Sequence, residues 1–248
     1  RRDDPQMAVT LVDRHDYHQA LTELPRVAAG TRAADAVRIP LHDVLDKQVR
    51  FVQTEIDDID VAGQQLLTGA GPISWRRLVL ALGSRPNDFA IPGLAERALQ
   101  LYSVDDAERV WAAVTTALTA AAAATDPARQ RRLATVVVGG GGATGVELAG
   151  ELAEMLPEAA RAHGLAPDRP AVLLVEAGPT ILAGSSQKLI DKAAGILAGL
   201  GVQVCTKATI AAATAEGFRL EDGQLVEGGV FVWAGGVKAP AVVVDSGM

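Results

Sequence analysis

The chain has 248 residues, of which 49% are hydrophobic and 21% are charged, and its formal net charge is −7. These values are typical of a soluble globular protein with one or two domains, and the acidic balance excludes nucleic-acid binding, which needs clustered Lys and Arg. The single cysteine, Cys205, excludes an internal disulfide and a CxxC pair, while the lack of a long apolar run and of a signal peptide favours a cytoplasmic location.

The first quarter of the sequence predicts a series of short strands. Strands are predicted at residues 8–12, 49–51, 54–56 and 65–68, where apolar and β-branched residues lie between turn residues. The first of them is closed by Asp13. A further apolar run at 78–82 is stopped by Gly83, and Pro and Gly residues over 86–93 then indicate a crossover loop.

A long helix is predicted after this loop. Apolar residues recur at helical spacing from Asp105, and the alanines of 120–124 extend the pattern until residues 125–127 end it. The arginines that follow, at 129, 131 and 132, are expected to form a solvated loop.

The second half of the sequence alternates strands with helices. Strands are predicted at 135–138, 171–175, 202–205 and 230–234, and helices at about 144–156 and 189–200. Strand, helix, strand, helix, strand is the pattern of a parallel sheet with helices on its faces, so the predicted fold class is α/β.

Four consecutive glycines follow the strand at 135–138. Only Gly140, Gly142 and Gly145 satisfy a GxGxxG spacing. In such a motif the first glycine makes the tight turn, the second leaves room for a pyrophosphate, and the third allows close packing of helix and strand. The helix start then binds the diphosphate through free N–H groups and its positive dipole end. The alternative, a flexible glycine linker, is disfavoured because the loop joins a Val-rich strand to a helix.

Glu176 stands at the end of the next strand, 36 residues after Gly140 (176 − 140). A carboxylate at this place accepts hydrogen bonds from the adenosine ribose hydroxyls. Its charge opposes the 2′-phosphate of NADP, and no Arg follows it directly, so NAD(H) is favoured. The alternative is an ordinary solvated glutamate at a strand end.

Asp13 repeats this arrangement near the start of the sequence. It closes a strand as the ribose carboxylate of a second dinucleotide fold would, but the glycine loop of such a fold lies ~20 residues upstream. Only 12 residues precede Asp13, and none of them is glycine. Either Asp13 is an ordinary residue at a strand end, or the phosphate loop belongs before Arg1.

Five segments resemble the type II NADH dehydrogenases (NADH:quinone oxidoreductases), in the order in which they occur in that family. They are VTLVDR (9–14) with the Tyr17-His18 pair after it, LVLALGSRP (78–86), VVVGGGGATGVELAGE (136–151), LVEAGPTIL (174–182) and VWAGGVKAP (232–240). This family belongs to the pyridine nucleotide-disulfide oxidoreductase superfamily, whose fold the resemblance therefore implies: two Rossmann-like dinucleotide-binding folds.

The resemblance implies FAD and NAD(H) as cofactors and a reaction that joins them. NADH would transfer a hydride to the flavin, and the electrons would pass on to a quinone. Asp13, Ala81 and Gly83 would contact FAD, and Gly235 would contact the nucleotide. Glu147 matches the family glutamate near the nicotinamide and flavin; the alternative is a glutamate placed by the helix dipole.

The resemblance also implies that the chain is an interior fragment. The expected domains are a partial FAD-binding domain at 1–104, an NAD(H)-binding domain at 105–240, and the start of a return to the FAD domain at 241–248. The first fold would be incomplete at its N-terminus and would lack its C-terminal return segment. Peripheral contact with the inner face of the plasma membrane would come from parts outside this sequence, and a homodimer is left open. We expect the chain to purify mostly without flavin and, on its own, to be inactive as an NADH dehydrogenase, with little NADH:quinone activity.

Three alternative functions are considered for this sequence. The chain could be an NAD(H)-binding module or redox sensor without turnover, or a ferredoxin- or rubredoxin-type reductase of the same superfamily. A disulfide reductase is disfavoured because no CxxxxC occurs. No metal site is expected, since the four histidines lack metal-ligand spacing; they are His15, His18, His42 and His163.

Overall fold

The computed structural model describes residues 7–166, 168 and 170–247, and the chain forms two compact units. Unit 1 comprises residues 7–20, 38–85 and 237–247 of the described chain, and unit 2 comprises Leu21–Val37 and Pro86–Gly236. These units divide the chain differently from the predicted domains. The segments that fall on the other side of a predicted boundary are 21–37, 86–104 and 237–240.

The secondary structure is mixed, with short strands in unit 1 and longer helices in unit 2. The strands are β1 (Val9–Asp13), β2 (Tyr17–Gln19), β3 (Arg38–Pro40), β4 (Val49–Gln53), β5 (Ile56–Asp60), β6 (Gln65–Thr68), β7 (Ile73–Ser74), β8 (Arg85–Pro86), β9 (Leu99–Gln100), β10 (Thr135–Gly139), β11 (Ala171–Val175), β12 (Gln203–Cys205), β13 (Ile210–Ala213), β14 (Gly217–Leu220), β15 (Leu225–Glu227), β16 (Val230–Trp233) and β17 (Val237–Lys238). The α-helices are α1 (Leu24–Ala28), α2 (Leu41–Val44), α3 (Leu94–Arg97), α4 (Val104–Ala123), α5 (Pro127–Leu133), α6 (Ala143–Ala162), α7 (Gln187–Gly199) and α8 (Ala241–Asp245).

Unit 2 is built on a five-stranded sheet in the order β12-β11-β10-β16-β9, with every pairing parallel. All five residues of β10 are buried, as expected for the central strand of a sheet covered on both faces. Helix α6 leads from β10 to β11 and α7 leads from β11 to β12, which confirms the predicted α/β class. The chain turns to opposite sides of β10 to reach β11 and β16. The carboxyl ends of β10 and β16 therefore form the switch point at which open α/β sheets bind ligands.

Helix α6 packs on this sheet through an apolar stripe. Leu148, Leu152 and Leu156 follow one another at a spacing of four residues, and all three are buried. The helix was predicted to end near residue 156 but continues past Pro157 to Ala162. The extra turn buries Ala160, so packing outweighs the backbone hydrogen bond that proline cannot donate.

Helix α5 corrects the prediction of a solvated arginine loop at 129–132. Asp126 caps this helix by accepting the backbone N–H groups of Ala128 and Arg129, and Pro127 occupies the first turn, where its missing N–H costs nothing. The sequence Thr-Asp-Pro follows the end of the preceding helix, as predicted. It also starts the next one.

The segment Leu21–Val37 lies in unit 2 because α1 packs against α4 and α6. Arg26 Nε donates to Glu151 Oε1 on α6 at 3.3 Å, and Thr31 Oγ1 donates to Glu151 Oε2 at 3.2 Å. The hydrogen bond to Glu151, followed by the charge of Glu23, raises the pKa of Arg26. These polar contacts fix a helix whose apolar residues Leu24, Val27 and Ala28 are buried.

Unit 1 contains the parallel pair β1-β4 and two small antiparallel sheets, β2-β3 and β5-β6-β7. The strand predicted at 54–56 is wrong, since Thr54 donates its backbone N–H to the carbonyl of Asp13 and β5 begins only at Ile56. The apolar run at 78–82 has no regular secondary structure, and Val79 is 87% exposed. An apolar run is therefore not sufficient to predict a strand at this position.

Candidate functional site

The turn from β10 into the first turn of α6 requires glycine at two positions. Gly140 has φ +112°, and a Cβ added to it would lie 2.6 Å from the carbonyl group of Ala234. A Cβ added to Gly145 would lie 1.9 Å from the carbonyl oxygen of Gly140. The first turn of α6 therefore lies directly against the end of β10, which brings the start of the helix to the switch point.

This close approach predicts opposite effects for two Gly→Ala substitutions on one helix. Gly145→Ala should lower the free energy of unfolding by about 1–3 kcal/mol, because the new methyl group meets backbone that cannot rotate away. Gly150→Ala should raise it by about 0.5–1 kcal/mol, since alanine favours helix over glycine. The nearest atom to a Cβ at Gly150 is Leu197 Cδ2, at 3.9 Å. Urea denaturation of both variants measures the difference, and equal effects would contradict the close contact.

Gly142, by contrast, is free of steric constraint within the protein. It is the N-cap of α6, with φ −72°, and a Cβ added there would meet no atom within 4 Å. Among the described residues, no side chain caps this helix or α7, whereas Ser103 caps α4 and Asp126 caps α5. The start of α6 thus borders open space at the positive end of the helix dipole, where an anion is stabilised.

The half-buried carboxylate of Glu176 lies against this loop. Its Oε2 accepts the backbone N–H of Gly141 at 2.6 Å, and its Oε1 accepts that of Gly178 at 2.5 Å. A Cβ added to Gly141 would lie 2.9 Å from Oε2. An ionised carboxylate has about four acceptor sites, so two oxygens that each hold one N–H can still accept hydroxyl donors. Gly141 and Gly178 were not identified from the sequence, because the bonds that involve them depend on the fold.

Gly235 meets the glycine loop from the other side of the switch point. A Cβ added to Gly140 would lie 2.7 Å from Gly235 Cα, and one added to Gly235 would lie 2.1 Å from the ring of Trp233. Four residues predicted from the sequence to bind the nucleotide therefore converge with Gly142 at one end of the sheet. They are Gly140, Gly145, Glu176 and Gly235.

Glu147 lies one turn further along α6 than the loop and is exposed. It is the fifth helical residue, counted from Ala143. The effect of the helix dipole falls off within the first turn. The dipole therefore gives little reason for a glutamate at this position.

The residues predicted to contact FAD all lie in unit 1. Asp13 ends β1, and its Oδ1 accepts the backbone N–H of His15 at 2.9 Å. Ala81 and Gly83 are exposed in a segment without helix or strand, and Gly83 has φ +67°. Asp13 thus occupies the same strand-end position in unit 1 that Glu176 occupies in unit 2, although no described residue donates to its second oxygen.

Within residues 7–166, 168 and 170–247, none of the helices combines the length and the apolar composition needed to cross a membrane.

The chain is similar in sequence to known type II NADH:quinone oxidoreductases. The chain is 31% identical to the type II NADH:quinone oxidoreductase of Staphylococcus saprophyticus and 32% identical to that of Staphylococcus aureus, over 242 residues in each case. The aligned part covers 96% of this chain and 60% of each relative. The chain thus spans less than two thirds of the length of these relatives.

Solved structures share the fold at lower sequence identity. The NDH2 of Plasmodium falciparum in complex with NADH matches with a TM-score of 0.86 at 19% identity, over 96% of this chain and 52% of that one. The sulfide:quinone oxidoreductase of Aquifex aeolicus matches with a TM-score of 0.78 at 18% identity, over 99% of this chain and 56% of that one. A ferredoxin reductase of Rhodopseudomonas palustris matches with a TM-score of 0.71 at 22% identity, over 99% and 57%.

The family model of the pyridine nucleotide-disulphide oxidoreductases matches residues 2–247, which is almost the entire sequence. Together with the parallel sheet and the glycine turn of unit 2, this match shows that the chain belongs to the pyridine nucleotide-disulphide oxidoreductase family.

Proposed function

We propose that this chain is the nucleotide-binding and flavin-binding part of an NADH:quinone oxidoreductase. The observation that carries the proposal is the uncapped start of α6 at Gly142, which faces open space next to the carboxylate of Glu176. A helix start of this kind suits a pyrophosphate, and a carboxylate at the end of the next strand suits an adenosine ribose. The similarity to the staphylococcal enzymes supports NADH as the donor and a quinone as the acceptor.

Each residue of the loop has a definite part in holding the nucleotide. Gly140 turns the chain, Gly145 brings the helix close, and Gly142 leaves space for the two phosphates. Glu176 accepts ribose hydroxyls while its bonds to Gly141 and Gly178 hold it in place. The site is therefore largely formed before the nucleotide arrives, which reduces the ordering cost of binding.

The residues of unit 1 fit the adenosine end of a flavin nucleotide. Asp13 stands at the carboxyl end of a parallel strand with acceptor capacity left for a ribose hydroxyl. Ala81 and Gly83 offer exposed backbone to a bound group. FAD, when bound, supplies the acceptor for a hydride and the means to release its electrons singly or in pairs. A quinone acceptor is dissolved in lipid, so the proposal includes peripheral contact with the inner face of the plasma membrane.

Glu147 is proposed to act at the reacting end of the nucleotide. With FAD present, Glu147→Gln should lower the rate of NADH oxidation at least roughly tenfold, as removal of a positioned proton-handling group does. The free energy of unfolding should change by less than about 0.3 kcal/mol, since the residue lies beyond the reach of the helix dipole.

Glu154→Gln is the matched control for this variant. Glu154 is seven residues further along α6, on the same face, and it is also exposed. It should change neither rate nor stability. A loss of stability in Glu147→Gln without a loss of rate would show that Glu147 serves the helix and not the reaction.

The function itself is tested by supplying FAD and NADH to the purified chain together with a panel of acceptors. We expect oxidation of NADH to depend on added FAD and to be faster with a soluble quinone than with a ferredoxin. Faster reduction of ferredoxin would show that the electron acceptor is a ferredoxin and not a quinone. Binding of NADH without oxidation by any acceptor would leave an NAD(H)-binding module and would overturn the enzymatic assignment of this chain.

A further inference from the structure

Phe89 is an exposed aromatic residue in an unfavourable backbone conformation. Its φ is +49°, that of the following Ala90 is +55°, and the residue is 58% exposed. Left-handed backbone is uncommon outside glycine and is an outlier for bulky residues. A large apolar side chain held in this way in contact with water points to a role other than packing the core.

The turn that carries Phe89 is fixed to the end of β16. Asn87 Oδ1 accepts the backbone N–H of Phe89 at 3.0 Å, and the backbone N–H of Asn87 donates to the carbonyl of Gly236 at 3.0 Å. On the other side, Trp233 Nε1 donates to the carbonyl of Asn87 at 2.7 Å. The backbone of this turn is therefore anchored to the end of β16 and to the residues that follow it.

The ring lies next to the glycines that border the nucleotide loop. A Cβ added to Gly236 would lie 3.3 Å from Phe89 Cζ, and the ring of Trp233 meets that of Phe89 edge-on with centroids 6.4 Å apart. Gly235, the preceding residue, touches Gly140 as described above. The contacts thus run without interruption from the glycine turn to the exposed aromatic ring.

The direction of the nucleotide follows from the strand order, given the proposed function on which this inference rests. Glu176 holds the adenosine ribose at the end of β11, and the phosphates lie at the start of α6. Strand β16 lies on the opposite side of β10 from β11. The other half of a dinucleotide that crosses the switch point must therefore extend over the end of β16, where Phe89 lies.

We infer that Phe89 packs its ring against the nicotinamide and so distinguishes the complete dinucleotide from its adenosine half. An aromatic ring suits this ligand, because the nicotinamide is itself a flat ring and offset or edge-on contacts between such rings are favourable.

The test compares the affinities for NADH and for ADP-ribose, which lacks the nicotinamide, by calorimetry. Phe89→Ala should weaken NADH about threefold to tenfold, the range expected for the loss of one aromatic contact, and should leave ADP-ribose unchanged. Phe89→Leu keeps an apolar side chain without the ring and should behave like Phe89→Ala. Phe89→Tyr keeps the ring and should therefore retain the affinity of the unmodified chain for NADH. Circular dichroism confirms that each variant is folded.

Ile196→Ala is the matched control, because Ile196 is also an exposed apolar residue of unit 2, on α7, and 53% of it is accessible. It should change neither affinity. An unchanged ratio of the two affinities in Phe89→Ala, or full affinity for NADH in Phe89→Leu, would overturn the inference. If the unmodified chain binds neither NADH nor ADP-ribose, the proposed function fails and the inference fails with it. If the unmodified chain binds both ligands, and the Phe89 variants keep the same ratio of the two affinities, the inference fails while the proposed function stands.

Discussion

Replacement of Gly142 by Val is expected to lower the affinity for NADH at least roughly a hundredfold, which corresponds to about 2.7 kcal/mol. A Cβ at this position meets no protein atom within 4 Å, so the branched side chain would occupy the open space in front of α6. That is the space a pyrophosphate needs in order to reach the backbone N–H groups. Gly142→Ala should have a smaller effect in the same direction, since a methyl group fills less of that space.

The open space around Gly142 also limits the effect of Gly142→Val on the free energy of unfolding. Gly142 has φ −72°, which valine adopts readily, and the main cost of the change is a poorer N-cap, about 1 kcal/mol or less. Gly195→Val is the matched control, because a Cβ at Gly195 on α7 also meets no atom within 4 Å. Calorimetry with NADH and thermal unfolding of the three variants separate binding from folding. Full affinity in a folded Gly142→Val would show that the loop does not hold a phosphate.

NADH is expected to bind at least roughly a hundredfold more tightly than NADPH, because of Glu176. Charge-assisted hydrogen bonds from the ribose hydroxyls contribute about 1.5–3 kcal/mol each, and the 2′-phosphate of NADPH cannot donate one of them. Two negative groups about 4 Å apart also repel by about 1–4 kcal/mol, depending on their access to water. Movement of the carboxylate away from the phosphate would break hydrogen bonds, since each of its oxygens accepts a backbone N–H group.

The double variant Glu176→Ser with Ala177→Arg should narrow or reverse this preference. Ala177 is exposed, so an arginine there can reach a phosphate and bind it in a fork. Ala177→Arg alone is the control, and it should retain most of the preference because Glu176 is still in place. Dissociation constants of both nucleotides for the three proteins are the measurement. Equal affinities in the unmodified chain would mean that Glu176 does not face the ribose.

The parts of unit 2 that local sequence determines were predicted well. The β-branched residues of β10, the glycines after it and the apolar spacing of α6 each indicate their element independently of the rest of the chain. The α/β class follows from their order. The start of α5 also has a local signal, an Asp before a Pro, although these residues were predicted only to end α4.

What the sequence could not show are the contacts between distant segments. The bond from Gly141 to Glu176 joins residues 35 positions apart, and only the pairing of β10 with β11 brings them together. The position of the turn that carries Phe89 depends on the hydrogen bond from Trp233 at the end of β16 to Asn87, 146 residues apart in the sequence. The inclusion of segment 21–37 in unit 2 depends on side-chain packing against two helices that have no sequence relation to it.

On the ribosome, α1 is synthesised long before either of the helices that cover it. The last residue of α6 is translated 125 residues after Val37 (162 − 37), which takes roughly 6–25 s at ~5–20 residues per second. Until α4 and then α6 have been made, Leu24, Val27 and Ala28, which are almost inaccessible in the folded chain, lack some or all of the surface on which they pack. Because exposed apolar segments of incompletely folded chains associate readily, the early part of this protein is prone to aggregation until both helices have emerged.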